Sequence, residues 1–217
     1  APLVKMAKII KVDILDVENT NPGDNPTVTF SLNDKHGPVA PTELPFFRLI
    51  IAGPNDDFIF LAEEFAFGAV PVDGNWEYTF SEDLPIDAEG SFTAGAELFE
   101  MVPVDMGGDA PAMFRHTAEN PVFVFAVTDD EPVARRVVAT DYKCEACHSN
   151  LQLHGTIRHE VQYCVTCHLP AATDVDELQE GNMEQSIDSA YMIHSIHRGA
   201  DKENGYIAAG HNQSIHD

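Results

Sequence analysis

Basic side chains are scarce in this chain: 12 lysines and arginines face 36 aspartates and glutamates, a formal net charge of −24. A surface of that sign repels a polyanion, so nucleic acid is excluded as the expected partner. Long apolar runs are missing as well. The nearest candidate, Phe46 to Ala52, contains Arg48 and falls far short of the ~18 apolar residues that a membrane-spanning helix needs. No strong helical period runs through residues 1–132, and no spaced calcium loop accompanies the acidic clusters Asp56-Asp57 and Asp129-Asp130-Glu131, which read as solvated charge. Cysteine is limited to 4 residues.

What residues 1–132 do contain is alternation. Val28, Phe30 and Leu32 alternate with Thr27, Thr29 and Ser31, and Trp76, Tyr78 and Phe80 alternate with Glu77 and Thr79, as half-buried strands require. Ile9 to Val17, Phe46 to Ile51, Phe58 to Leu61, Ser91 to Glu100 and Val122 to Val127 complete a set of about seven strands, the count of an immunoglobulin-like sandwich. Turn sequences such as Asn21-Pro22-Gly23-Asp24 and Gly53-Pro54-Asn55-Asp56 separate them. Val102 to Ala112 reads as a long irregular loop, with Met101, Met106 and Met113 packing near the β core. Asp129-Asp130-Glu131-Pro132 closes the pattern, so the sandwich is assigned to residues 1–132 and a second domain to 133–217. The acidic excess is concentrated in the first part, with 24 acidic and 6 basic residues against 12 and 6 in the second.

The second part holds all four cysteines, as Cys144-Glu145-Ala146-Cys147-His148 and Cys164-Val165-Thr166-Cys167-His168, and eight of the 10 histidines. Each five-residue pattern is that of c-type haem attachment: two thiols two residues apart form thioethers to one porphyrin, and the next histidine meets the iron. Two haems c are therefore expected, with His148 and His168 as proximal ligands. They would also let so short and polar a segment fold around porphyrin faces in place of many aliphatic side chains. The same cysteines fit a four-cysteine zinc site by spacing, but zinc needs no histidine after each pair. A thioredoxin-like pair would need a βαβ setting that the neighbouring sequence does not suggest.

The distal ligands must come from His154, His159, His194, His197, His211 and His216, with Met183 and Met192 as higher-potential alternatives. His36 and His116, in the β part, read as surface side chains. Ser186 or Asp188 can cap, and Gly199 can end, a short helix on which His194 and His197 occupy neighbouring positions of one face.

The second part resembles the multihaem cytochromes of the OmcA/MtrC type, outer-surface electron conduits of metal-respiring bacteria. The resemblance runs in order through Arg135-Arg136-Val137-Val138, the first haem motif, Asn150-Leu151-Gln152-Leu153-His154-Gly155, Cys167-His168-Leu169-Pro170, Met192 to Gly199 and Tyr206-Ile207. It implies a β domain of immunoglobulin-like or split-barrel type before a mostly irregular, short-helical haem domain. It also implies His154 and the His194/His197 pair as distal ligands of low-potential, bis-histidine haems. His154 is assigned to the haem of Cys164 and Cys167, and the helical pair to that of Cys144 and Cys147. The family continues past Tyr206-Ile207 with further haem motifs, so this chain is expected to be either a dihaem unit or part of something longer.

The functional expectation is an exported electron carrier, at the cell surface or extracellular, with the periplasm as the alternative. Other cytochromes or haem subunits are the expected partners, metal ions, minerals or electron shuttles the expected acceptors, and assembly into a homo-oligomer or filament is open. Substrate chemistry is not required. The alternatives are a multihaem enzyme with one open iron and a zinc-stabilised sandwich that acts as an interaction module.

Overall fold

The computed structural model describes residues 10–107, 111–178, 183–201, 205–210 and 214–216. Ten strands form two antiparallel sheets. The first joins β1 (Lys11–Glu18), β2 (Thr27–Asp34), β3 (Gly37–Pro38), β6 (Val70–Val72) and β7 (Asn75–Thr79) in the order β1-β2-β7-β6, with β3 on β2. The second joins β4 (Phe46–Gly53), β5 (Phe60–Phe65), β8 (Ser91–Val104), β9 (Ala112–Thr117) and β10 (Val122–Ala126) in the order β10-β8-β4-β5, with β9 on β8. All the paired strands run antiparallel.

The period-2 alternation explains the layers. Val28, Phe30 and Leu32 of β2 face Phe47, Leu49 and Ile51 of β4 and Phe92, Ala94, Ala96 and Leu98 of β8 in one buried core. Phe30 and Phe47 meet edge to face across it, their ring centroids 5.0 Å apart, the geometry that the aromatic quadrupole favours.

Two sequence expectations need correction. The stretch from Val102 to Ala112 is not one irregular loop: β8 continues to Val104, and β9 returns along it from Ala112, pairing Val102 with Phe114. The alternation that marks a strand is interrupted there by Pro103 and by exposed apolar residues, so the signal was hidden. Met101, Met106 and Met113 are exposed and do not pack in the core.

Strand β8 carries a second message. Ser91 to Leu98 is buried on both faces, and the residues opposite the core are Ser91, Thr93, Gly95 and Glu97. What covers them is the second part of the chain. Val133 donates its N–H to Ser91 Oγ (2.9 Å), and its carbonyl accepts from Asn55 Nδ2 (2.7 Å). Tyr163, fully buried, lies where a Cβ on Gly95 would stand 2.9 Å from its ring. Glu97, with no exposed side-chain surface, is bonded by Arg158 Nε at 2.7 Å and paired with Arg48, which also reaches Glu63 at 2.9 Å.

After β10 the chain crosses the sandwich as a strap. Arg135 stacks on Phe58 at 4.9 Å, and Arg136 donates to the Asp56 carbonyl at 2.6 Å. Three short helices follow: α1 (Asp141–His148), α2 (Val161–Cys167) and α3 (Ser189–His197). A small antiparallel pair, β11 (Ala208–Gly210) and β12 (Ser214–His216), ends the described residues.

Candidate functional site

Both attachment motifs sit at helix ends. Cys144, Cys147 and His148 lie on α1, and Cys164 and Cys167 on α2, whose last turn closes with His168 donating its N–H to the Cys164 carbonyl at 3.1 Å. Helical spacing of three residues puts both sulfurs of a motif on one face. None of the four cysteines is paired in a disulfide. Burial raises Cys164 to about 11 and Cys167 to about 12, so both stay protonated at neutral pH. Val161 at the start of α2 donates its N–H to Asp141 Oδ1 of α1 at 2.6 Å, so the two attachment helices are neighbours.

The histidines fall into two pairs. His148 and His197 stand with ring centroids 6.0 Å apart, and so do His154 and His168. Two imidazoles on opposite sides of one metal, with metal–nitrogen bonds of about 2 Å, put their centroids roughly 6 Å apart. His168 Nδ1 lies 2.8 Å from the Ile187 carbonyl, and His197 Nδ1 lies 2.8 Å from the Ile193 carbonyl. A carbonyl only accepts, so each Nδ1 carries the proton and each Nε2 keeps its lone pair for a metal. The two carbonyls have no sequence signal; only the fold brings Ile187 to His168, whereas Ile193 is one turn before His197.

Helix α3 is capped as its sequence suggests: the Asp188 side chain accepts from Tyr191 N–H at 2.9 Å, and Arg198 ends the helix. Of its two histidines it is His197 that stands opposite His148. Behind His168, the buried Asp174 accepts from Gln185 N–H (2.7 Å) and Ala209 N–H (2.8 Å), and Tyr206 donates to the Ser186 carbonyl (2.8 Å). These bonds hold the segment that supplies Ile187, and Asp174 was not singled out by the sequence.

His154 keeps an exposed side, yet partial burial and the nearby charges of Arg158 and His168 push it down to about 4. It is therefore neutral at pH 7, the form that ligates metals. Burial also lowers His168, although its bond to Ile187 works the other way. His159 is placed differently from the expectation: its Nε2 lies 2.7 Å from Thr117 Oγ1, a bond to the sandwich in place of a ligand position. Met183 is exposed, His211 lies outside the described residues, and only the backbone of His216 is described, in β12. His116 is half-buried against Glu100, 3.2 Å away, and is no simple surface side chain.

The surroundings suit a flat apolar group. Tyr142 (82% exposed) and Val138 (79%) flank the first motif, and Tyr191, Ile193 and Ile196 of α3 are also uncovered. Such a concentration of apolar surface on a polar segment is the kind that a ligand or partner covers. The donor set of two thiol pairs and two imidazole pairs, each pair with ring centroids 6.0 Å apart, fits two covalently held haems.

Residues 135–217 match the family model described as outer membrane cytochrome MtrC/MtrF-like, domains II/IV. Over that segment the match supports the resemblance to the MtrC/OmcA type read from the sequence. Among solved structures, the fold is similar to that of MtrC from Shewanella baltica OS185, with a TM-score of 0.54 and 14% identity over 75% of this chain. This chain spans about a third of that protein, 34% of its length. No curated protein matches.

Proposed function

We propose that this chain is an exported c-type cytochrome unit that carries electrons through two covalently attached haems at the outer surface of the cell. Cys144 and Cys147 would hold the first haem, with His148 and His197 as its histidine ligands. Cys164 and Cys167 hold the second, with His168 and His154. The observation that carries the reading is the repeated 6.0 Å opposition of one motif histidine and one distant histidine. His194 is then not needed as a ligand. The division near residue 132, the immunoglobulin-like character of the sandwich and the role of other cytochromes, metal ions, minerals or shuttles as partners belong to the same proposal. So do the surface location and the possibility of assembly into a homo-oligomer.

Haem when bound supplies a one-electron iron couple, and two neutral imidazoles per iron favour a low-spin, low-potential centre. The chain's own part is orientation. The carbonyls of Ile187 and Ile193 fix the rings of His168 and His197, and the helix ends fix the thiols. With two histidines available to each haem, small-molecule chemistry at an open iron would not be expected. Among the described residues no group of three or more His, Cys, Asp or Glu side chains converges as a metal ion requires, which favours haem over a four-cysteine zinc site. No helix among them is long and apolar enough to cross a membrane.

Mass spectrometry of the denatured protein tests the reading, with the mass of two haems expected to stay on the chain. Replacing Cys144 and Cys147 together by alanine should remove one. His154→Ala should keep both attached and turn one high-spin. A protein that releases all its colour into acidified solvent overturns the proposal.

A further inference from the structure

His154, Gly155 and Thr156 are three consecutive residues in the left-handed region, with φ of 51°, 71° and 77°. Only glycine enters that region freely, so a run in which two of three carry side chains persists only where the surroundings impose it. The turn is closed at its base by Leu153 and Arg158, which exchange backbone bonds of 3.0 and 3.3 Å. Everything else that fixes it comes from the β-sandwich. Asn120, buried to 1% exposure, donates through Nδ2 to the Ile157 carbonyl at 3.0 Å and to the Ala96 carbonyl of β8 at 3.4 Å. Its Oδ1 accepts from His159 N–H at 2.8 Å. One amide thus ties both sides of residue 158 to the central strand. Glu97 of β8 takes the Arg158 side chain, Thr117 bonds His159, and Arg115 Nη1 donates to the Gly155 carbonyl at 2.5 Å while stacking on Phe99 at 4.3 Å. A Cβ on Gly155 would stand 2.6 Å from that same Arg115 nitrogen.

We infer that the β-sandwich sets the strength of one axial bond: Asn120, with Arg115 at the rim, is a positioning residue that holds the His154 turn so that His154 meets the second haem. The inference rests on the ligation proposed above. It assigns the sandwich a part in tuning the redox centre. Neither residue touches the haem in this scheme; both act through the backbone of residues 155–159. Residues that orient a ligand from behind typically change metal affinity roughly ten- to a hundred-fold when removed.

The experiment uses the haem-loaded full chain and reads cyanide binding and reduction potential, because cyanide has to displace the distal histidine. His154→Ala identifies the affected haem by its loss of low-spin absorbance. Asn120→Ala and Arg115→Ala should then lower the half-saturating cyanide concentration at that haem about ten-fold or more and shift its potential, leaving the other haem as it was. Arg115→Lys, which keeps a cationic donor, should recover most of the difference. A change in thermal stability with unaltered cyanide binding and potentials, while His154→Ala does turn one haem high-spin, overturns the inference and leaves the ligation standing. If His154→Ala itself changes nothing, the ligation scheme and this inference fall together. Should Asn120→Ala not fold, the exposed Arg115→Ala variant decides the matter by the same readings.

Discussion

Glu97→Gln is the most informative single change at the junction of the two parts. The carboxylate has no exposed side-chain surface, and it lies between Arg48 and Arg158, whose side chains are 17% and 13% exposed. Removing its charge leaves two guanidinium groups close together in a poorly hydrated place, with only Glu63, 33% exposed, to offset Arg48. Breaking a buried pair from one side costs about 3–5 kcal/mol. The residual exposure of both arginines and the remaining Glu63 contact favour the lower end, about 3 kcal/mol. For a chain of this size each kcal/mol moves Tm by about 2–4 °C, so a fall of roughly 6–12 °C is expected. Denaturant unfolding of the haem-loaded protein, with Arg158→Leu and the double variant completing a cycle, measures the cost and the coupling. A loss below about 1 kcal/mol would mean that the arginines find water when Glu97 is neutralised, and the account of a dry ionic junction would be wrong.

Three further outcomes are expected. Gly95→Val should destabilise by about 1–3 kcal/mol in chemical denaturation, because its Cβ would press on the Tyr163 ring at 2.9 Å and on Ile50 at 3.0 Å; an unaffected midpoint would show that α2 is free to retreat. Burial opposes ionisation of Glu64, yet the bonds it accepts from Tyr78 OH (2.6 Å), Ser81 N–H (2.8 Å) and Glu82 N–H (3.0 Å) prevail and hold its carboxyl below the usual value of 4.5. Its stabilising share is therefore complete above that value and disappears as pH falls through the lower folded-state pKa, so the stability gap between wild type and Glu64→Gln should narrow as pH falls below 4.5. Asp174→Asn should weaken the staple behind His168 by about 1–3 kcal/mol, measured by hydrogen exchange at Gln185 and Ala209; unchanged protection there would refute it.

The strands with clean alternation, β2 and β7, were legible because β2 buries one face and Trp76 and Tyr78 of β7 pack half-buried against the core, and β8 was found from its composition over Ser91 to Glu100. Its far half and β9 were not, since an exposed hairpin bearing Met101, Met113 and Phe114 inverts the usual sign of the pattern. The two attachment motifs announce themselves through spacing that the chemistry demands. The helices that bear them are seven or eight residues long, and of the six histidines considered as distal ligands only His154, His194 and His197 were singled out, through the family resemblance. That His159 turns to Thr117, that Ile187 orients His168, and that Arg158 goes to Glu97 are contacts between residues 19 to 61 positions apart. Separations of that kind leave no periodic trace.

Strand β8 has no side that belongs to water between Ser91 and Leu98. Phe92, Ala94, Ala96 and Leu98 are written for one neighbour, and Ser91, Thr93, Gly95 and Glu97 for another. Cutting the chain at the strap would therefore not release a finished module. It would expose a glycine groove shaped for a tyrosine and strip Glu97 of one of its two cations. The portable unit is the sandwich together with the segment docked on it, and a designer who wishes to move either into another protein has to carry both sides of that one strand.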